Sequence, residues 1–381
     1  MKAAAALSMH PIASQAVGET AGSILEELEG TAIDLLVVFM DSAHTGAVED
    51  ISSALGQLLN PRVLLGTTAC GVIGQINEVE DSPSLSIWAG TDMAATPLRI
   101  EPGDSAPIGG WASLAGSSST NEQNVILLAD PFSTPLDELV ADAHSSAPNL
   151  RIHGGLSSAA RGPGGNRLLL DGAIYTNGAV GVDLGSTPTV SVVSQGCRPL
   201  GNAFTVTGAQ GNVITELASQ RPLDVLEAVA TNASEADRQL LAQGIHIGVV
   251  FDEGQLDEFD RGDFLIRPVL GADPESGAIA IGAAIEPGTT VQFQVRDAAS
   301  ASEDLTGMLS DANDVDATAA LTFTCNGRGA HLFGRSGHDA ELVHGITGSR
   351  ATAGMFCAGE FGPVRSENHI HGFTASTLLF R

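Results

Sequence analysis

Apolar positions along the chain change their spacing in a recurring order. Asp34–Met40 (DLLVVFM) carries an unbroken apolar run, as expected of a strand buried on both faces. Thr45–Leu59 follows with Val48, Ile51, Leu55 and Leu58 at the spacing of one helix face. Arg62–Gly74 (RVLLGTTACGVIG) begins as a strand and dissolves into small residues. The order returns at Asn124–Ala129, at Thr134–His144 with Leu136, Leu139 and Val140 inward, and at Arg151–Ala160. Near the C-terminus it returns again. Leu321–Cys325 reads as a strand, Asp339–Ile346 as a short helix, Ala353–Val364 as a glycine-punctuated strand and Ile370–Phe380 as a last strand. A strand–helix–strand unit is therefore expected about three times, around Leu35–Gly74, Val125–Ala160 and Leu321–Pro363.

Between these units the strands arrive as hairpin-like runs, at Leu85–Trp88, Leu98–Ile100, Arg167–Asp171, Gly172–Thr176 and Ala179–Leu184. Further strands are expected at Thr189–Ser194, Gly201–Gly208, His246–Phe251, Phe264–Leu270, Ala278–Ile281 and Thr290–Val295. Pro11–Leu28, Pro222–Ala230, Ser234–Ala242 and Ala298–Asp311 read as helices, with Ser234 and Asp237 placed to cap the third. Glu101–Gln123, rich in Gly and Ser, reads as a loop, and Glu253–Arg261 as an acidic loop. The pattern predicts an α+β fold of mixed, largely antiparallel sheets with helices packed outside.

The 381 residues are 43% apolar and 16% charged, enough to bury a large core. Net charge is −28, and among 17 basic residues only Lys2 is lysine. Such a chain repels phosphate backbones and anionic lipid, so neither nucleic acid nor a membrane surface is an expected partner. Four widely spaced cysteines, Cys70, Cys197, Cys325 and Cys357, read as free thiols in a reducing, cytoplasmic compartment. No run of about 18 apolar residues suggests a membrane span. Met1–Ser8 lacks the apolar centre of a signal peptide.

Where cations are scarce, an arginine inside a glycine-rich apolar stretch needs a local reason; Arg328 and Arg335 stand in such stretches. Gly327 and Gly329 flank Arg328 and give access to a guanidinium that can grip a carboxylate with two hydrogen bonds. Glu360, in the run Ala358-Gly359-Glu360, is placed to receive an ammonium group or to orient Arg328. A structural ion pair explains the same two residues equally well. Cys325 or Cys357 as a nucleophile, with His331 or His371 as base, is one reading; small buried apolar residues is the plainer one. His369 and His371 share a strand face, yet no further ligand stands at a recognised metal spacing, and no cofactor is called for. Gly66-Thr67-Thr68 and Gly154–Ser158 offer amide and hydroxyl donors to an anion, or close packing. The carboxylates from Asp252 to Asp260 lack the spacing of a calcium loop, and Arg296-Asp297 reads as a pair or helix entry.

Several stretches together resemble the FIST family, named for F-box and intracellular signal transduction proteins. GDFLIRPVLGADPESGAIAIG, VQFQVRDAASASEDL, TFTCNGRGAHLFG, AGMFCAGEFGPV and HGFTASTLLF are similar, in order, to blocks of its C-terminal domain. DLLVVFMD and RVLLGTTACGVIG are similar to its N-terminal domain. An N-terminal helix is expected over 1–30 from the spacing of its residues, and the resemblance, which begins at about Ala32, implies a FIST N-like domain over 31–190 and a FIST C-like domain over 191–381. It also implies a sensory module for small molecules such as amino acids or related carboxylates. With no room for an output domain, the signal would pass to a separate partner. A thiol-dependent transferase or hydrolase on the same scaffold is the alternative.

Overall fold

The computed structural model describes residues 1–114, 122–251, 259, 261–312 and 317–381. Two compact units emerge, Met1–Ser194 with Leu305–Arg381, and Gln195–Asp304. The expected division at 190/191 follows the family's two-part order; by contact, residues 305–381 instead fold with the N-terminal half. The acidic carboxylates from Asp252 to Glu258, and Asp260, lie outside the described residues.

The first unit is built on three parallel strand pairs, each joined through a helix. Strand β1 (Leu35–Asp41), helix α1 (Val48–Leu59) and strand β2 (Val63–Ala69) form the first. Strand β3 (Gln123–Ala129), helix α2 (Leu136–Ser146) and strand β4 (Leu150–Leu156) form the second. Strand β5 (Ala319–Cys325), helix α3 (His338–Thr347) and strand β6 (Ala351–Cys357) form the third. All three crossovers follow the rule that parallel strands need a long connection, here supplied by the helix. In α1 the buried side is Val48, Ile51, Leu55 and Leu59, whereas Leu58 faces solvent. A tight 3₁₀ turn at Ser42–Ala47 precedes it, capped by Asp41, whose side chain accepts from the Ala43 N–H at 2.8 Å.

Each pair is the centre of a six-stranded sheet with the same layout. An antiparallel strand flanks the first strand of each pair: Leu85–Gly90 on β1, Ala179–Asp183 on β3 and Thr374–Phe380 on β5. A hairpin flanks the second strand, and it is contributed by a different part of the chain each time. Gly71–Gly74, which follows β2, pairs with β6. Glu360–Val364, which follows β6, pairs with β4. Leu168–Leu170, which follows β4, pairs with β2. The three sheets thus exchange strands in a closed cycle. The single strands expected at Arg62–Gly74 and Ala353–Val364 are each two strands in two different sheets. The N-terminal stretch also differs from expectation: before the helix Ala13–Leu28, Ala3–Ser8 is a strand paired with Leu85–Gly90.

The inner faces of the three sheets share one core that includes Phe39, Trp88, Ile126, Val180, Phe323 and Met355. Phe39 meets Phe323 edge-on at 5.9 Å, and Trp88 lies 4.8 Å from Phe380. The Trp88 indole N–H donates to the Ala351 carbonyl at 3.1 Å, which satisfies the one polar atom of that buried ring. Helices cover the outer faces, with Ile24, Ile51 and Leu55 on one sheet, Leu139 on the second, and Leu305, Leu309 and Val343 on the third.

The second unit is a closed six-stranded barrel, filled by Val206, Ile214, Ile247, Ile279, Val291 and Phe293. Closure leaves no strand edge to pair with another chain. Helix Pro222–Asn232 starts on its proline. Helix Glu235–Gln243 is capped as expected, the Ser234 hydroxyl accepting from the Asp237 N–H at 3.1 Å and donating to its carboxylate at 2.7 Å. Asp297 is the entry to helix Ala298–Asp311, accepting from Ala299 N–H and the Ser300 hydroxyl, and it forms an ion pair with Arg198.

Candidate functional site

The second strands of the three parallel pairs end against one another. Gly155 lies so close to Cys357 that an added Cβ would come within 2.4 Å of its sulfur. Leu156 N–H donates to the Gly359 carbonyl at 2.8 Å, and Ala358 N–H to the Leu156 carbonyl at 3.1 Å. The Ser158 hydroxyl accepts from Cys70 N–H at 3.0 Å and donates to the Phe356 carbonyl. Small residues are needed here because backbone meets backbone. That is why β2, β4 and β6 each run into a Gly, Ser, Thr, Ala or Cys segment.

A cleft of about 410 Å³ opens at this junction, lined among others by Asp41, Cys70, Asp81, Ser158 and Arg161. It lies at the carboxyl ends of β1, β2 and β4, the edge of a parallel sheet where ligands commonly sit. Arg161 is exposed and forms no ion pair with a described residue. Cys70 is half-buried, with the Ser158 hydroxyl 3.4 Å from its sulfur. Burial pushes its pKa up, with the Ser158 hydrogen bond opposing, so the group is a thiol at neutral pH.

Arg328 and Glu360 are both completely buried. Arg328 is gripped by Asp339 through Nε at 2.7 Å and Nη2 at 2.9 Å. Asp339 also accepts from the Thr324 hydroxyl at 2.7 Å and lies 2.9 Å from His338 Nδ1. Burial works to raise the Asp339 pKa, but the Arg328 charge and its hydrogen bonds overcome it and hold the group below the usual carboxylate range. Glu360 accepts from the Thr374 hydroxyl at 2.6 Å. Burial pushes its pKa up to about 8, against those hydrogen bonds and the Arg328 charge, so it is a neutral acid at neutral pH. The expected role of receiving an ammonium group therefore does not suit it. One atom of each, Arg328 Nη1 and Glu360 Oε1, has no hydrogen-bond partner among the described residues. Cys357, itself fully buried, interacts electrostatically with Glu360, Cys325 and Cys70.

The other expected site residues fall around the same cluster. Gly329 has φ +56, and a Cβ there would meet Glu80 at 2.5 Å and Phe356 at 2.8 Å. Gly359 offers its carbonyl to Leu156 and packs on that side chain. Cys325 and Cys357 are partners in parallel register, both buried. His371 is buried with Nε2 3.0 Å from the Gly362 carbonyl, its ring 5.9 Å from that of His369. Gly327 directly precedes Arg328 in the turn after β5. Arg335, exposed, pairs with Glu341 at 2.8 Å.

Sequence reasoning missed Asp339, Glu78 and Arg161. Glu78, buried, caps α3 by accepting from the N–H groups of Gly337, Asp339 and Ala340 at 2.7–3.0 Å. Burial and the neighbouring Asp339 charge push its pKa up to about 7. Arg161, in Ala160-Arg161-Gly162-Pro163-Gly164, meets the same test of a lone cation among glycines that singles out Arg328.

The FIST N domain profile matches residues 34–220, and the FIST C domain profile matches residues 222–363. The chain belongs to the FIST family. FIST domains are sensory, small-ligand-binding modules of signal transduction. The FIST N/FIST C junction at 220/222 falls inside the barrel, between strand Val213–Leu217 and the helix that starts at Pro222. The uncharacterized protein Mb0898c of Mycobacterium bovis is 40% identical over 375 residues, covering 97% of this chain and 96% of its own. The uncharacterized protein Rv0628c of Mycobacterium tuberculosis is 39% identical over 385 residues, covering all of both. Among solved structures, a cyanuric acid hydrolase of A. caulinodans aligns over 100% of this chain and 99% of its own, at 10% identity and a TM-score of 0.28, too slight a likeness to bear on the fold. No described helix is long and apolar enough to cross a membrane.

Proposed function

We propose that this FIST protein senses a small carboxylate, an amino acid in the first instance, bound in the cleft between Cys70, Ser158 and Arg161. One observation carries the reading: an exposed guanidinium without an ion partner among the described residues shares a small cleft with the carboxylates of Asp41 and Asp81. Arg161 supplies the fork that grips a ligand carboxylate. Asp41 and Asp81 face an ammonium group, and the Ser158 hydroxyl and Cys70 thiol fill the floor. Arg328, Glu360, Cys325, Gly327, Gly329, Gly359 and His371 act as the buried support of that floor. Binding shifts the population between two forms, and a separate protein reads the difference.

Thiol catalysis at Cys325 or Cys357 is the rival. The Cys357 thiol is fully buried, and burial followed by the Glu360 charge pushes its pKa well above the ordinary value, the reverse of an activated nucleophile. Binding is therefore the reading that the geometry favours. A thermal-shift screen against amino acids and organic acids tests it. Ligands should raise the melting temperature by mass action, and Arg161→Ala should abolish the rise without altering the unliganded transition. A full response in Arg161→Ala removes the cleft from consideration.

A further inference from the structure

The barrel carries a cavity of its own, about 510 Å³, unrelated in chemistry to the cleft of the first unit. It lies where strand Cys197–Gln210 meets helices Pro222–Asn232 and Glu235–Gln243. Strand pairing with Thr290–Arg296 breaks register between Pro199 and Ala203, so the chain bulges away from the ladder there. Gly201, at φ +74, turns that bulge, and a Cβ on it would press on both Val229 methyls at 3.2 Å. The bulge and the helix junction at Ala233 leave a hollow between them.

Its larger apolar lining residues are buried or half-buried, and its neutral-polar ones are exposed. Leu200, Phe204, Val225 and Val229 supply the apolar surface. Asn202, Gln220 and Asn232 bring amide groups to the cavity, and Asn232 spends its N–H on the Ala228 carbonyl at 2.9 Å. The one charged lining residue, Asp237, is already satisfied by Arg198 and Ser234. In a chain of net charge −28 this hollow therefore holds no uncompensated charge. A volume of this size with apolar walls and a few hydrogen-bonding groups is the ordinary form of a small-molecule site.

We infer that the barrel binds a second ligand, a neutral molecule with an apolar body and an amide-like hydrogen-bonding head. Charged ligands are disfavoured because no counter-charge awaits them and desolvation is uncompensated. Phenylacetamide, phenylacetate and phenethylammonium, similar in body and different in charge, are the probes. Each is titrated into the full-length protein with methyl groups of Leu and Val isotopically labelled, and the Leu200, Val225 and Val229 signals are followed by NMR. Phenylacetamide should shift these three signals saturably at millimolar concentration, and the two charged probes should bind at least tenfold more weakly. Ala228→Trp, at an exposed helix position on the cavity wall, should abolish the shifts while the remaining methyl spectrum is preserved. The inference is overturned by unshifted signals at saturating amide, by shifts that persist in Ala228→Trp, or by equal binding of phenylacetate. Arg161→Ala should leave the titration unchanged, which separates this site from the cleft.

Discussion

Arg328 and Asp339 are joined by two hydrogen bonds, 2.7 and 2.9 Å long, and neither side chain reaches solvent. Two charges taken wholly out of water are tolerable only as a pair, since each alone carries the full desolvation cost. Asp339→Ala should therefore destabilise the protein by about 3–5 kcal/mol in urea denaturation. The double variant Arg328→Met with Asp339→Leu should lose much less, because no unpaired charge remains. A double variant as unstable as the single one would show that Arg328 matters by something other than this pair.

Glu360 gives stability a pH dependence of defined sign. Its pKa is about 8 when folded against an ordinary 4.5, so the folded state holds a proton that the unfolded state releases. Stability from this group is complete below about pH 4.5 and is lost as pH rises through 8. The full swing is roughly 4–5 kcal/mol as an upper bound. Glu78, raised to about 7, acts in the same direction over a narrower range. Glu360→Gln keeps the shape and hydrogen-bonding capacity but cannot ionise. Unfolding free energies at pH 5, 7 and 9 should fall much less steeply in this variant than in the parent, and identical slopes would remove Glu360 as the cause.

Strand exchange makes the two family domains interdependent. Gly71–Gly74 completes the sheet around β6, and Glu360–Val364 completes the sheet around β4. A fragment 1–220 would expose the β4 edge and leave its own hairpin unpaired; 221–381 would lack the flanking hairpin of β6. Neither fragment should show a cooperative thermal transition alone, and co-expression should restore one. A sharp transition in isolated 1–220 would contradict this account.

What could be read ahead of the structure follows from where side-chain pattern carries information. β1 and α1 were legible because an apolar run and a 3–4 spacing each encode one environment. The break between β2 and Gly71–Gly74 was not, because Thr67–Gly71 is small and almost patternless, and the chain changes sheets there. Ala3–Ser8 was missed for the same reason: alanines show no alternation. Arg328 stood out by its scarcity, but its partner Asp339 lies eleven residues on, beyond a short helix that nothing in the local pattern announced. Glu360 was legible as unusual, whereas its neutral state depends on complete burial, a property of the assembled sheets. Arg161 was within reach of the same scarcity argument, and only the folded chain reveals that it lines a cleft together with two carboxylates.

Gly154 and Gly354 each lie inside the second strand of a parallel pair, opposite Leu127 and Thr322. A Cβ would stand 2.0 Å from the Leu127 carbonyl oxygen and 1.9 Å from that of Thr322, and Gly154 also has φ +129. Backbone cannot give way as a flexible side chain does, so Gly354→Ala should cost about 3 kcal/mol or more. Gly56, on helix α1, is the control: a Cβ there meets nothing within 4 Å. Gly56→Ala should stabilise by about 0.5–1 kcal/mol through helix propensity. The same change of residue is thus expected to act with opposite sign at the two positions in urea denaturation. If Gly354→Ala proved neutral, the close approach of β6 to the Thr322 carbonyl could not be the reason for a glycine at this position.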